Sequence, residues 1–136
     1  AALSGGTVPT DRIIDGKNIL PILTGKTDKH PREAFYYYQM DQLQAVRSGD
    51  WKLFVPMESK KRNWGKPEGK AEVKLFNLAN DIHEDVNLAD KNPKVVKQLL
   101  LHAEQAREDL GDVNRPGKGQ RKAGWAEKAS PRLLKK

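Results

Sequence analysis

The sequence predicts an α+β fold, a four-stranded antiparallel sheet with one C-terminal helix packed on a face. Three observations predict it. Four β-favouring segments follow one another, "EAFYYYQM" (Glu33–Met40), "LQAVRS" (Leu43–Ser48), "WKLFVP" (Trp51–Pro56) and "VKLFNL" (Val73–Leu78). The second and third are joined through Gly49 and Asp50, a compact turn signal. A single helical period then closes the run at Pro93–Leu110. Strands in series with short turns favour antiparallel pairing, and one helix can cover only one face of the sheet.

Taken in order, residues 1–32 form an extended lead-in with a short helical turn. Ile19, Leu20, Ile22 and Leu23 make an apolar cluster divided by Pro21 and ended by Gly25, which limits any helix there to a turn or two. These side chains are expected to plug a core, and residues 13–25 to cover part of the sheet's second face. Residues 33–110 form the sheet and helix. Aromatic and β-branched residues make Glu33–Met40 a strand, with Phe35 and Tyr37 on one face and Tyr36 and Tyr38 on the other. A symmetric two-residue turn sets Ser48 against Trp51, Arg47 against Lys52, Val46 against Leu53 and Ala45 against Phe54. One face then holds Val46, Trp51, Leu53 and Val55; the other holds Leu43, Ala45, Arg47, Lys52 and Phe54. Arg47 opposite Lys52 is repulsive unless a carboxylate lies close by. Residues 57–72 read as a long polar loop.

For the helix, Asn92 is the expected N-cap, Pro93 suits the first position and Gly111 lies just past the end. Val96, Leu99, Leu100, Ala103, Ala106 and Leu110 fall on one stripe, with Lys97, Glu104, Glu108 and Leu101 on the polar side. Residues 111–136 are a basic tail, expected to be flexible. The chain of 136 residues carries a formal net charge of +7, and residues from Gly111 onward hold eight Lys or Arg against Asp112 and Glu127, so the tail supplies +6 of it. Such a tail attracts polyanions without specificity.

The sequence holds no cysteine, which excludes disulfides, thiolate zinc sites and a cysteine nucleophile. No apolar run reaches the length of a membrane span. His30, His83 and His102 have no serine and acid at triad spacing. Asp81–Asp85, "DIHED", gathers three carboxylates and an imidazole but lacks the ligand alternation and glycine of a calcium loop, and reads as a solvated turn. The basic stretch "RPGKGQRKAGW" lacks the preceding strand and following helix of a phosphate loop. On these grounds the chain is a small module without a complete active site, neither catalytic nor metal-binding.

Three segments in series resemble the C-terminal part of sulfatases, of the arylsulfatase A and N-acetylgalactosamine-6-sulfatase type. They are "VPTDRIIDGKNILPILTGK" (Val8–Lys26), "EAFYYYQMDQLQAVRSGDWKLFV" (Glu33–Val55) and "KLFNLANDIHEDVNLAD" (Lys74–Asp90), followed by the closing helix; the tail "RPGKGQRKAGW" (Arg115–Trp125) is also similar to bacterial members. The family pattern Asp-Pro-x-Glu-x-x-Asn-Leu-Ala is matched by Asp81, Glu84, Asn87, Leu88 and Ala89, with Ile82 in place of proline.

The resemblance implies a C-terminal subdomain of an alkaline-phosphatase-like sulfatase, whose partner is the parent's catalytic domain and whose substrate is a sulfate ester met only through that parent. It implies calcium and a formylglycine nucleophile in the parent, made in a Cys/Ser-x-Pro-x-Arg motif that this chain lacks, so no activity is expected of the fragment and no cofactor within it. A periplasmic or secreted parent follows in the same way, and no membrane is expected among the partners. Within the chain, the turn Met40, Asp41 and Gln42 is the candidate substrate-side loop, and Arg47 is expected to form a structural ion pair with Asp81 or Glu84. The competing reading is a freestanding basic module that binds polyanions, sulfated glycan or nucleic acid; the resemblance disfavours nucleic acid.

Overall fold

A computed structural model describes residues 1–11, 13–56, 72–113, 115–122 and 124–128. The polar loop expected at 57–72 lies outside them, save for its last residue, Glu72. A single turn, α1 (Leu20–Leu23), precedes four strands, β1 (Phe35–Gln39), β2 (Gln42–Ser48), β3 (Trp51–Phe54) and β4 (Lys74–Asn77). A long helix, α2 (Pro93–Leu110), follows, and then two short strands, β5 (Gly111–Asp112) and β6 (Arg115–Pro116). The first four strands form one sheet in the order β1-β2-β3-β4, each pair antiparallel.

The β2–β3 register is Ala45 with Phe54, Val46 with Leu53, Arg47 with Lys52 and Ser48 with Trp51. Gly49 takes a left-handed φ of 56° in the turn, which costs a residue without Cβ little. The β1–β2 register is not regular. It shifts between Tyr37, opposite Ala45, and Tyr38, opposite Leu43, so the β1–β2 register skips Gln44. This bulge reverses the expected side of Leu43. Simple alternation put Leu43 with Ala45 and Phe54; the extra residue turns it to the helix side, where it is fully buried with Val46.

Helix α2 packs chiefly on β2 and β3. The core between them contains Leu43, Val46, Leu53, Val55, Leu75, Leu99, Ala103 and Ala106, edged by Tyr36, Tyr38, Trp51, Val96 and Leu100. Burying each large aliphatic side chain here contributes about 1.5–3 kcal/mol. Leu101 is exposed, as is Leu110, because Arg107 and not Leu110 turns inward in the last turn. Pro93 occupies the first turn, but Asn92 makes no side-chain cap; its Nδ2 donates to the Leu88 carbonyl at 3.1 Å.

Gly111 ends the helix with φ 90° and donates its N–H to the Arg107 carbonyl. A Cβ at that position would lie 2.7 Å from the Arg115 carbonyl oxygen, so the chain reversal into β6 requires glycine. The Lys118 and Gly119 N–H groups then bond the Glu108 and Asp109 carbonyls at 2.7 and 2.8 Å, and Gln120 Nε2 donates to the Leu110 carbonyl. Residues 111–120 thus satisfy the carbonyls that a helix end leaves open, and Arg115 bonds Glu104 at 2.6 Å. The lead-in does not join this core. No residue of α1 is buried, and Ile13, Ile19 and Leu23 are exposed.

Candidate functional site

The β1–β2 tip is a projecting turn on a firmly held base. Met40 adopts a left-handed φ of 57° and is 83% exposed. Asp41 is exposed beside it, whereas Gln42 is buried as the first residue of β2. Beneath the tip, Tyr38 donates its hydroxyl to the Gly111 carbonyl at 2.9 Å. The Asp112 carboxylate accepts the Leu43 N–H at 3.2 Å and the Val113 N–H at 2.9 Å on Oδ1, and Arg107 Nε at 3.0 Å on Oδ2. Arg107 and Asp112 are both buried. A hairpin base is therefore bolted to the end of α2 by one carboxylate that serves backbone and guanidinium together. Burial pushes the Tyr38 phenol above its ordinary value, and the Asp112 charge adds to the rise. Gln42 Oε1 accepts from Gln44 Nε2 at 3.2 Å. Gln42 Nε2 is buried without a hydrogen-bond partner among the described residues.

The expected ion pair takes a different form. Glu84 bonds Lys52, with Nζ 2.6 Å from Oε1 and both side chains largely covered. Arg47 instead donates Nε to the Gly49 carbonyl at 3.0 Å and is exposed. The reason is topological. Glu84 lies in the loop leaving β4, next to β3, and Lys52 stands on β3; Arg47 is one strand further away on β2. Lys52 Nζ also sits 4.9 Å from the Tyr37 ring centre and 4.6 Å from that of Phe54, within reach of both π-faces.

Asp81 does a separate task. Its Oδ1 and Oδ2 accept the Asp85 and Val86 N–H groups, each at 3.0 Å. These backbone bonds hold its carboxyl below the usual carboxylate range. With its oxygens so engaged and Glu84 turned to Lys52, the "DIHED" turn does not offer a converging ligand set. Among the described residues no group of three or more His, Asp or Glu is placed to hold a metal ion. The described residues do not fit a calcium site, and the sequence has no Cys/Ser-x-Pro-x-Arg motif for formylglycine. The sequence pointed to Asp81, Glu84 and Asn87 as a pattern without showing their tasks. It gave no sign of the Tyr38–Arg107–Asp112 clamp, whose members lie up to 74 positions apart in sequence.

Residues 30–132 match the family described as the C-terminal region of aryl-sulfatase. An arylsulfatase of Hemicentrotus pulcherrimus is 48% identical over 52 residues, 38% of this chain and 9% of its own length. The steryl-sulfatases of Mus musculus and Homo sapiens are 40% and 38% identical over 58 and 60 residues, each covering 40% of this chain, and 9% and 10% of their own lengths. A solved protein described in connection with the metabolism of multiple glycosaminoglycans by Bacteroides thetaiotaomicron overlays with a TM-score of 0.59 at 27% identity, over 78% of this chain and 22% of that one. The chain thus spans about a tenth of the length of these curated relatives. The family match over most of the chain and the sheet-and-helix architecture agree, and the chain belongs to the aryl-sulfatase C-terminal region family.

Proposed function

We propose that this chain is the C-terminal support of a sulfuric ester hydrolase, and that its Met40–Gln42 tip borders the substrate cleft of that enzyme. The observation that carries the reading is the clamped hairpin: an exposed turn held on a rigid base by Tyr38, Arg107 and Asp112. Loops on rigid scaffolds are where specificity is commonly placed. The spare donor of Gln42 is a group that an abutting region of the parent can complete. Calcium and the formylglycine nucleophile belong to the catalytic region, and the bond-breaking step is carried there. This chain contributes position and shape.

The test is made in the full-length protein. Met40→Asn keeps a residue that tolerates the left-handed conformation while changing the side chain, and Asp41→Ala removes the neighbouring charge. The ratio of kcat/KM for a small aryl sulfate to that for a sulfated disaccharide is expected to move by about tenfold, the scale of a single lost pocket contact. The melting temperature is expected to hold. An unchanged ratio in both variants overturns the assignment of the tip.

A further inference from the structure

We propose that the exposed segment Lys118–Lys128 is an anchoring site for a sulfated polysaccharide chain, separate from the place of cleavage, and that the ester this domain serves is carried on such a polyanion and not on a lone aryl group. The inference rests on the reading of the chain as a sulfatase C-terminal support.

The basic residues of the chain fall into two kinds. Within the folded body, Lys52, Arg107 and Arg115 are each matched by a carboxylate, from Glu84, Asp112 and Glu104. The segment after β6 is not matched in this way. Between Lys118 and Lys128 stand four Lys or Arg against one acid, Glu127. Lys118, Lys122 and Lys128 are exposed and bond no carboxylate among the described residues. Arg121 reaches Asp15 at 3.4 Å, with the two side chains 70% and 79% exposed, a pair that contributes little and gives way to a stronger anion. Trp125 stands among these charges and is exposed. So large a ring is costly to leave in water, whereas against the apolar face of a pyranose it is covered while its N–H stays wet.

The position of the segment points to what it holds. Its root is fixed: a Cβ at Gly117 would strike the Asp109 carbonyl, and the Lys118 and Gly119 N–H groups bond the Glu108 and Asp109 carbonyls. The same end of α2 carries the hairpin tip, since Tyr38 bonds Gly111 and Leu43 bonds Asp112. The tip and the basic segment therefore leave the domain at one end. A small ester at the tip has one sulfate, taken up by the cleavage site, and leaves nothing for the segment to grip. A glycan with sulfates on successive sugars reaches both, and each further sulfate that meets a cation releases counterions. The Glu108 and Asp109 side chains precede Lys118 and weaken the field there, so the grip is strongest at Arg121–Lys128.

The test uses the full-length protein in two variants. One carries Lys118→Gln, Arg121→Gln, Lys122→Gln and Lys128→Gln together; the other carries Trp125→Ala. Binding of fluorescently labelled chondroitin sulfate is followed by polarisation over a series of salt concentrations. The charge variant is expected to bind about tenfold or more weakly and to lower the slope of log affinity against log salt by about 3, at roughly 0.7 per cation removed. Trp125→Ala is expected to bind about fivefold or more weakly with the slope unchanged, since stacking displaces no counterion. Chondroitin sulfate added to an aryl sulfate assay is expected to inhibit the unaltered enzyme and to inhibit both variants less, with KM for the aryl ester the same in all three. Unchanged glycan affinity in the charge variant overturns the proposal. A loss in the charge variant with none in Trp125→Ala reduces the segment to diffuse charge and overturns it too. Duplex DNA bound more tightly than the glycan at equal salt assigns the segment to nucleic acid, and inhibition of equal strength in all three proteins, or in none, separates it from the cleft; either result overturns the proposal. A full-length protein without an upstream Cys/Ser-x-Pro-x-Arg region removes the underlying reading itself, an outcome distinct from any binding result.

Discussion

Removing the Asp112 carboxylate tests whether the hairpin clamp holds the domain together. In Asp112→Ala the buried Arg107 guanidinium loses its 3.0 Å partner, and the nearest alternative acid on the helix, Glu104, is 3.9 Å away and half exposed. Leaving one member of a buried pair uncompensated costs about 3–5 kcal/mol, and the Glu104 contact argues for the lower end. The Leu43 N–H, buried at the bulge, also loses its acceptor, at a further cost of about 1 kcal/mol. The expected loss is about 4 kcal/mol, a fall in melting temperature on the order of 15–30 °C for a domain of this size. Asp112→Asn keeps an oxygen for Leu43 while removing the charge, so it is expected to cost about half as much and to remain measurable if the alanine variant does not fold. Urea unfolding followed by far-ultraviolet circular dichroism gives both values. Adding Arg107→Met to Asp112→Ala removes the stranded charge. The double variant is then expected to be more stable than the sum of the single costs by about 1.5 kcal/mol or more. Additive costs, or an Asp112→Ala loss below about 1 kcal/mol, refute the clamp.

The outer-face ion pair makes a contrast between two neighbouring basic residues. Lys52→Met, which breaks the Glu84 contact and both ring contacts, is expected to lower stability by about 1–2 kcal/mol in urea unfolding. Arg47→Met is expected to stay within about 0.5 kcal/mol, since its side chain is exposed and bonds only the turn beside it. Asp81 governs part of the acid limb. Its folded carboxyl titrates below the ordinary aspartate range, held there by the Val86 and Asp85 N–H groups, so its contribution is complete above the unfolded value and is lost as pH falls through the lower folded one. Asp81→Asn is expected to flatten the dependence of stability on pH below about 4 while leaving its slope at neutral pH unchanged; equal acid slopes in the two proteins count against the role.

Much of the sheet was legible because alternation and a two-residue turn leave few choices. Val46 against Leu53 follows once Gly49 and Asp50 form the turn. Leu43 was not legible, since counting by twos assumes that no residue is inserted, and Gln44 is inserted. The helix boundaries were readable from Pro93 and Gly111, but the inner stripe was misjudged at its last turn. There a buried acid reached from β5 makes an arginine a better occupant of the interior than Leu110. No local pattern could reveal this, because Asp112 and Leu43 meet only after the whole sheet has formed. Sequence likewise located an acid near the Arg47 and Lys52 pair without deciding which base receives it. That depends on β4 lying beside β3, a fact of topology. The apolar cluster at Ile19–Leu23 was expected in the core because hydrophobicity alone does not say which body a segment packs against.

The residues that carry the family resemblance share a property that explains how little catalytic meaning they have in this chain. Asp81 caps the backbone of its own turn. Glu84, at a left-handed φ of 60°, reaches Lys52 on the neighbouring strand. Asn87 Oδ1 accepts the N–H of Leu75 at 3.0 Å and that of Ala89 at 3.0 Å, while the Leu88 N–H bonds the Leu75 carbonyl at 2.8 Å. Since β4 is the last strand of the sheet, those contacts satisfy backbone groups that its free edge would otherwise present. Asp81 and Asn87 thus answer polar demands created by ending a sheet and turning into a helix, and Glu84 answers the charge of Lys52. Such demands are set by backbone geometry and do not vary with the ester being cleaved. The pattern therefore marks the domain through the way its sheet ends and turns toward α2.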